Sequence, residues 1–259
     1  MLRLDSRLAA AAGLCRRGVV VADVGTDHAL LACYLAANGA ASVIASDIRD
    51  GPLEAARKTV AQTGVKNVSV VKSDGLQGID YADDVVICGM GGELIADIIG
   101  GCRFLSESTR FILQPMTKAD ILRRRLYSEG FEICEERTAY DTKRAYVVML
   151  VRYTGVCREI DDVLAFAGRV TDERFLRLTA QKLLKNAAEM DKSDSTSAQA
   201  ARLREICGRG DGATPPSRLT PPLKGEARCG MRYVIQYIGF RQNELNLMWN
   251  VGGRCHVSL

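Results

Sequence analysis

The chain has 259 residues, about 47% of them apolar and 25% charged, with a formal net charge of +4. That balance suits a soluble globular protein with one large α/β domain and a smaller appendage, and its mild basicity permits nucleic acid as a partner without demanding it. No apolar run reaches the roughly 18 residues of a membrane span. Nine cysteines without a C-x-x-C pair, and only His28 and His256, argue for packed thiols in a reducing cytosol rather than disulfides or a metal site.

Along the chain, "MLRLDSRLAAAAGLCRRG" reads as an amphipathic helix rather than a signal peptide. From Gly18 to Tyr153, short β-branched runs then alternate with helical stretches. The runs span residues 19–24, 42–47, 68–72, 84–88, 109–113, 131–135 and 145–151. Pro52 suits a first helical position and Gly64 a C-terminal cap, while Thr117 can cap a helix that Gly130 stops. Such alternation predicts a doubly wound parallel sheet covered by helices on both faces. Only "RTAYDTKR" separates the last two runs, too little for a crossover, so they should pair as an antiparallel hairpin.

Beyond Gly155 the strand signal ends. Thr171, Asp172 and Glu173 form a helix start, and Leu176, Ala180, Leu183, Ala187 and Met190 recur as a coiled-coil seam. Ala200, Leu203 and Ile206 begin a second stripe, so an antiparallel helical hairpin is expected, either packed on the main domain or gripping RNA. The Gly- and Pro-rich stretch after Cys207 supports no packed element. The reading is thus residues 1–155 as the main domain, 156–207 as the helical hairpin and 208–259 as an atypical tail.

Chemistry concentrates where the strands end. "VVVADVGTDHALLACYL" begins like a dinucleotide loop, but Asp27 and Leu30 stand where two further glycines would be needed. Gly25 allows the sharp turn, whereas Asp27 would repel a pyrophosphate. A cofactor with a cationic centre, an ammonium and no phosphate fits better, and S-adenosylmethionine has that constitution. Asp23 joins this site or serves as a strand-end residue or helix cap. Asp47 can accept from ribose hydroxyls and Asp74 from an adenine amine, with Gly75 turning the chain. In "CGMGG", Gly89, Gly91 and Gly92 leave room for a flat ligand or base, or simply make a tight turn. "LQPM" ends the fifth run, where Pro115 fixes a turn beside the cleft. Arg123–Arg125 reads as a solvated helix face or a phosphate contact.

Taken in order, "DVGTDHALL", "GPLEAA", "SDGL", "GMGGELI", "FILQP" and "LRRRLYSEGFEI" resemble the bacterial tRNA adenine-22 N1-methyltransferases. The resemblance covers residues 2 to about 207, including a segment similar to that family's coiled-coil domain. It departs at Leu30, where Tyr is frequent, and at Met116, where Asn often follows the Gln-Pro pair. It implies a class I methyltransferase (Rossmann-like) fold and transfer of a methyl from S-adenosylmethionine to N1 of adenine 22 in tRNA. The cysteine and histidine usage adds the expectation of a cytoplasmic protein without metal, and a monomer is expected with the oligomeric state left open. The implied cofactor residues are Asp23, Gly25, Thr26, Asp47, Ile48, Asp74, Gly75, Gly89 and Met90. Gly91, Gly92, Gln114, Pro115, Arg3 and Arg7 are expected to meet the tRNA, and Arg16 and Arg17 could also hold phosphates. Adenine N1 is already a neutral nucleophile, so alignment and stabilisation of the charge developing on the base should dominate. Asp27 is the candidate for that role, with His28 a lesser one. A small-molecule methyltransferase, or a non-catalytic RNA-binding protein on the same fold, would share many of these features.

Overall fold

The computed structural model describes residues 2–142 and 144–190, the last four by their backbone alone. The chain divides into two compact units, Met1–Val170 and Thr171–Leu259. In the first, α1 (Ser6–Ala12) precedes a βα alternation: β1 (Val20–Val24), α2 (Leu30–Ala37), β2 (Ser42–Asp47), α3 (Asp50–Thr63), β3 (Val68–Lys72), β4 (Asp84–Gly91), α4 (Gly92–Gly100), β5 (Arg110–Thr117) and α5 (Ala119–Ser128). The hairpin β6 (Phe131–Tyr140) and β7 (Ala145–Tyr153) follows, and then α6 (Asp162–Ala167).

The strands form one sheet in the order β3-β2-β1-β4-β5-β7-β6. β1 to β5 run parallel, and β7 pairs antiparallel with both β5 and β6. The order reverses at β1, whose neighbours are β2 on one side and β4 on the other. That reversal opens a crevice at the carboxyl ends of β1 and β4, where doubly wound sheets bind ligands. The central strands β1, β4 and β5 are buried along most of their length, which explains their near-continuous apolar runs. Val21, Val43, Ala45, Val86, Ile112 and Val148 share one core with Leu31, Cys33 and Leu35 of α2 and Ala11 of α1. The intervening Val85, Ile87, Phe111 and Leu113 are also buried, as are Ile95 and Ile99 of α4 and Leu122 and Leu126 of α5. Each such side chain stabilises the fold by about 1.5–3 kcal/mol relative to exposure.

Local chemistry sets several boundaries. Asp5 caps α1, its carboxylate accepting the Leu8 amide at 2.7 Å. Gly64 closes α3 in the left-handed conformation, as its position suggests. Pro52 lies in the first turn of α3, though as its third residue rather than its first. Other boundaries differ from the expectation. "CGMGG" does not turn out of the sheet: β4 continues to Gly91 through register shifts around Met90, and α4 begins at Gly92. Pro115 lies within β5, opposite Met90 in that irregular stretch, where a proline costs no regular ladder bond. Thr117 is the last residue of β5, and Lys118, at φ 55°, takes the N-cap position of α5. β6 extends past Glu135 to Tyr140 because a bulge at Cys134 restores its pairing with β7.

In the second unit, α7 (Glu173–Met190) starts at Asp172, whose carboxylate accepts the Phe175 amide at 3.0 Å. Among its described side chains, Phe175, Leu176, Ala180 and Leu183 are buried, so the first three seam positions are on one inward stripe. The side chains of Ala187 and Met190, the expected second helix and the tail from Gly208 lie outside the described residues. Among the described residues, no helix is long and apolar enough to cross a membrane.

Candidate active site

The carboxyl edge of the sheet gathers the strand-end residues. Asp23 sits in β1 and is only 4% exposed. Thr26 donates its hydroxyl to Asp23 Oδ2 at 2.6 Å, folding the loop back over the strand. Burial pushes the Asp23 carboxyl up to about 6, partly offset by the Thr26 bond. A buried carboxylate without a cation is costly, so this position favours a positively charged partner.

Gly25 turns the chain at φ 75°, and its amide and that of Thr26 both donate to the Ser46 carbonyl. A Cβ on Gly25 would come within 2.1 Å of Met90 Cε, so the glycine also admits the β4 side chain against the loop. Asp27 and Ala29 follow at φ 50° and 53°, a left-handed conformation that non-glycine residues seldom adopt. Ala29 is the N-cap of α2 and supplies no side-chain bond. Asp27 therefore does not cap that helix. Its side chain is 65% exposed, with Oδ2 lying 3.6 Å from His28 Nε2.

Asp47 ends β2, buried, with Oδ1 accepting the Arg49 amide at 3.0 Å. Its Oδ2 takes no hydrogen bond among the described residues. Ile48 beside it is 53% exposed, a flat apolar surface next to a carboxylate. Asp74 is exposed in the turn after β3, which Ser73 braces by donating to the Gly75 carbonyl and accepting the Gly78 amide.

On the β4–β5 side, Gly89 adopts φ 84° and Gly91 ends the strand. Gly92 is buried, and a Cβ there would lie 2.2 Å from the Lys118 carbonyl, so it serves packing of the β5–α5 turn rather than ligand access. Gln114 and Pro115 are buried in β5. The Cys88 thiol is pushed well up, chiefly by burial and then by the nearby Asp23, so it remains protonated and is no nucleophile.

The arginines are distributed differently from the expectation. Arg3 is exposed ahead of α1. Arg7 turns inward, its Nη1 donating to Gln114 Oε1 at 2.8 Å. Arg16 lies at the opposite edge of the sheet, donating from Nε and Nη2 to the buried Asp84 that opens β4. Arg17 packs against Gly39, ahead of β2, also at that edge. Arg123, Arg124 and Arg125 all engage acceptors of the protein itself. Arg123 is fully buried against Glu136 and the carbonyls of Ala165 and Phe166, Arg124 binds Asp162, and Arg125 binds Asp97 and Glu129. The Arg7–Gln114 contact was hidden from sequence reading, since only a polar residue in an otherwise apolar strand hinted at it.

Comparison with known proteins places this geometry. Residues 4–149 match the family model of the methyltransferase domain. The tRNA (adenine(22)-N(1))-methyltransferase of Bacillus subtilis (strain 168) is 32% identical over 80% of this chain and 94% of its own length. The chain belongs to the tRNA (adenine(22)-N(1))-methyltransferase family. The crystal structure of the B. subtilis family member aligns with a TM-score of 0.68 and 29% identity, covering 81% of this chain and 96% of that one. A Streptococcus pneumoniae protein, solved in complex with S-adenosyl-L-methionine, aligns with a TM-score of 0.66 and 26% identity over 78% of this chain and 96% of that one. Family membership thus rests on nearly the whole length of each relative, and the class I methyltransferase fold on the sheet itself.

Proposed function

We propose that this protein methylates N1 of adenine 22 in tRNA, using S-adenosylmethionine as the methyl donor. The observation that carries this reading is the row of carboxylates Asp23, Asp47 and Asp74 at the carboxyl ends of consecutive strands, in a chain similar to a tRNA (adenine(22)-N(1))-methyltransferase over 94% of that relative. The residues fit the cofactor. Asp23, buried and raised to about 6, is suited to an ammonium, and Asp47 Oδ2 to a ribose hydroxyl. Ile48 offers a face to a purine, and Asp74 an acceptor for its amine. Thr26, Gly25, Gly75, Gly89 and Met90 shape the space between them.

When bound, S-adenosylmethionine supplies an electrophilic methyl group. The chain then has to orient the target base and stabilise the charge that spreads over it. Asp27 is exposed on the strained loop between β1 and α2, where its carboxylate can accept from the exocyclic amine of the target adenine. That bond strengthens as positive charge develops. His28, within 3.6 Å, is placed to orient Asp27. Adenine N1 lies on the pairing edge, so the base must be unpaired or flipped to reach this loop. In this reading Gly91 and Pro115 line the base side, the segment beyond residue 155 contacts the tRNA body, and the protein acts as a cytoplasmic monomer. The test is methylation of transcribed tRNAs by the purified protein, with the modified position mapped. Methylation elsewhere, or none with the product S-adenosylhomocysteine still bound, would overturn the assignment.

A further inference from the structure

We infer that Arg7 is a positioning residue for this reaction, acting through Gln114 on the Gly89–Gly91 wall of the site; the inference rests on the function proposed above. Gln114 is completely buried in β5, and its carboxamide is engaged on both sides. Oε1 accepts from Arg7 Nη1 at 2.8 Å and from the Gly89 amide at 3.2 Å. Nε2 donates to the Pro115 carbonyl at 2.9 Å and approaches Met116 Sδ at 3.6 Å. Rotating the amide by half a turn would set its NH2 against two donors and its oxygen against a carbonyl. All the contacts therefore select one orientation.

The consequence reaches the site through the backbone. Gly89 stands at φ 84° beside the register shift between Cys88 and Met90. An irregular strand lacks part of its ladder, so the Gln114 oxygen is what receives the Gly89 amide. Met90 follows directly and lays its methyl against Gly25 of the first loop. Arg7 thus connects α1, β5, β4 and the β1–α2 turn. Its guanidinium also pairs with Asp5 at 3.3 Å, which holds it from the other side.

The helix does not depend on this contact for docking. Ser6 donates to the Tyr140 carbonyl at 2.6 Å, Asp5 caps the helix, and Leu4 and Leu8 pack against the core. Replacing Arg7 should therefore leave α1 in place while freeing the Gln114 amide.

The experiment compares wild type, Arg7→Ala, Arg7→Lys, Gln114→Ala and the Arg7→Ala/Gln114→Ala double variant in the full chain. Steady-state tRNA methylation is measured at several salt concentrations, alongside S-adenosylhomocysteine affinity, melting temperature and amide exchange of residues 87–91. Arg7→Ala should lower kcat roughly 10- to 100-fold, the scale of a small misplacement at a reacting centre. KM for tRNA, its salt dependence, product affinity and melting temperature should hold. Arg7→Lys should recover part of kcat, and residues 87–91 should exchange faster in Arg7→Ala. In the Gln114→Ala background, loss of Arg7 should add no further defect. A raised KM with a shallower salt slope would overturn the inference in favour of a phosphate contact. Additive losses or unchanged exchange would overturn it as well. A wild type that binds S-adenosylhomocysteine but methylates no tRNA would fell the assigned reaction, leaving amide exchange to decide the role of Arg7.

Discussion

Asp27 is where the loop strain and the chemistry meet. A carboxylate held at φ 50°, 65% exposed and not serving as a helix cap, has no structural duty to explain its conformation. Asp27→Asn keeps the shape and removes the charge. It should lower kcat by about two to three orders of magnitude while cofactor affinity and melting temperature stay unchanged. A normal kcat would remove Asp27 from the reaction. Asp23 makes a separate prediction through its proton. Its carboxyl is raised from 3.8 to about 6 in the folded chain, mainly by burial, so the native state holds the proton more tightly than the unfolded one. Protonated Asp23 favours folding below about pH 4, and that contribution is lost as pH rises through about 6. A cationic ligand reverses the preference by stabilising the carboxylate. S-adenosylhomocysteine, which keeps the ammonium, should bind more tightly as pH rises through about 6 and should release a proton on binding below it. Calorimetry in buffers of different ionisation heat measures both. Asp23→Asn should bind weakly and without that pH dependence, and a flat wild-type profile would separate Asp23 from the ammonium.

At the scale of elements, the arginine run on α5 acts as a staple rather than a recognition surface. Arg123 and Glu136 are buried together, and Arg123 also donates to carbonyls at the end of α6. Glu136 in turn accepts the Arg169 amide, which closes the connection from β6 to the residues after α6. A buried pair is a poor source of net stability, but leaving one member alone is costly. Arg123→Ala should therefore destabilise by about 3–5 kcal/mol in urea unfolding. Gly168 belongs to the same lock: it adopts φ 67°, and a Cβ would fall 2.0 Å from Glu136 Oε2. Gly168→Ala should melt well below wild type, with product affinity retained at temperatures where it is folded. Wild-type stability in both variants would show that the lock is dispensable. The sequence showed three consecutive arginines on a helix, a pattern common on solvated faces. Arg123 and Arg124 find their acceptors on β6, on α6 and at Ile160 just before it, while Arg125 pairs with Asp97 of α4 and Glu129 of its own turn, so no local periodicity could reveal that Arg123 is buried.

For the whole molecule, the lock decides where the chain can be cut. A chain ending at Val170 keeps every strand and all the acceptors of Arg123 and Arg124. It should fold and bind S-adenosylhomocysteine but lose affinity for tRNA. A chain ending at Arg158 keeps Glu136 but strips the Ala165 and Phe166 carbonyls from Arg123 and both Ile160 and Asp162 from Arg124, and it should melt markedly lower even though all seven strands remain. Equal melting of the two truncations would show that the segment carrying α6 is not integral to the first unit.

The sequence alone determined the alternation of strands and helices, the antiparallel final hairpin and the carboxylates at successive strand ends. These features are local. Strands buried on both faces must be apolar runs, a turn at positive φ favours glycine, and a strand end is marked by where the run stops. Tertiary structure alone decided that "CGMG" and "QPM" remain in the sheet, because the two segments pair with each other through an irregular register that neither reveals by itself. It also decided the fate of the arginines. Arg7 meets Gln114 across 107 residues and Arg16 meets Asp84 across 68, one at the site edge of the sheet and the other at the opposite edge. Residues so close in sequence look alike as positive charges. Which of them faces a ligand depends on where the folded chain places a buried acceptor, because an arginine leaves water only where its hydrogen bonds and charge are matched.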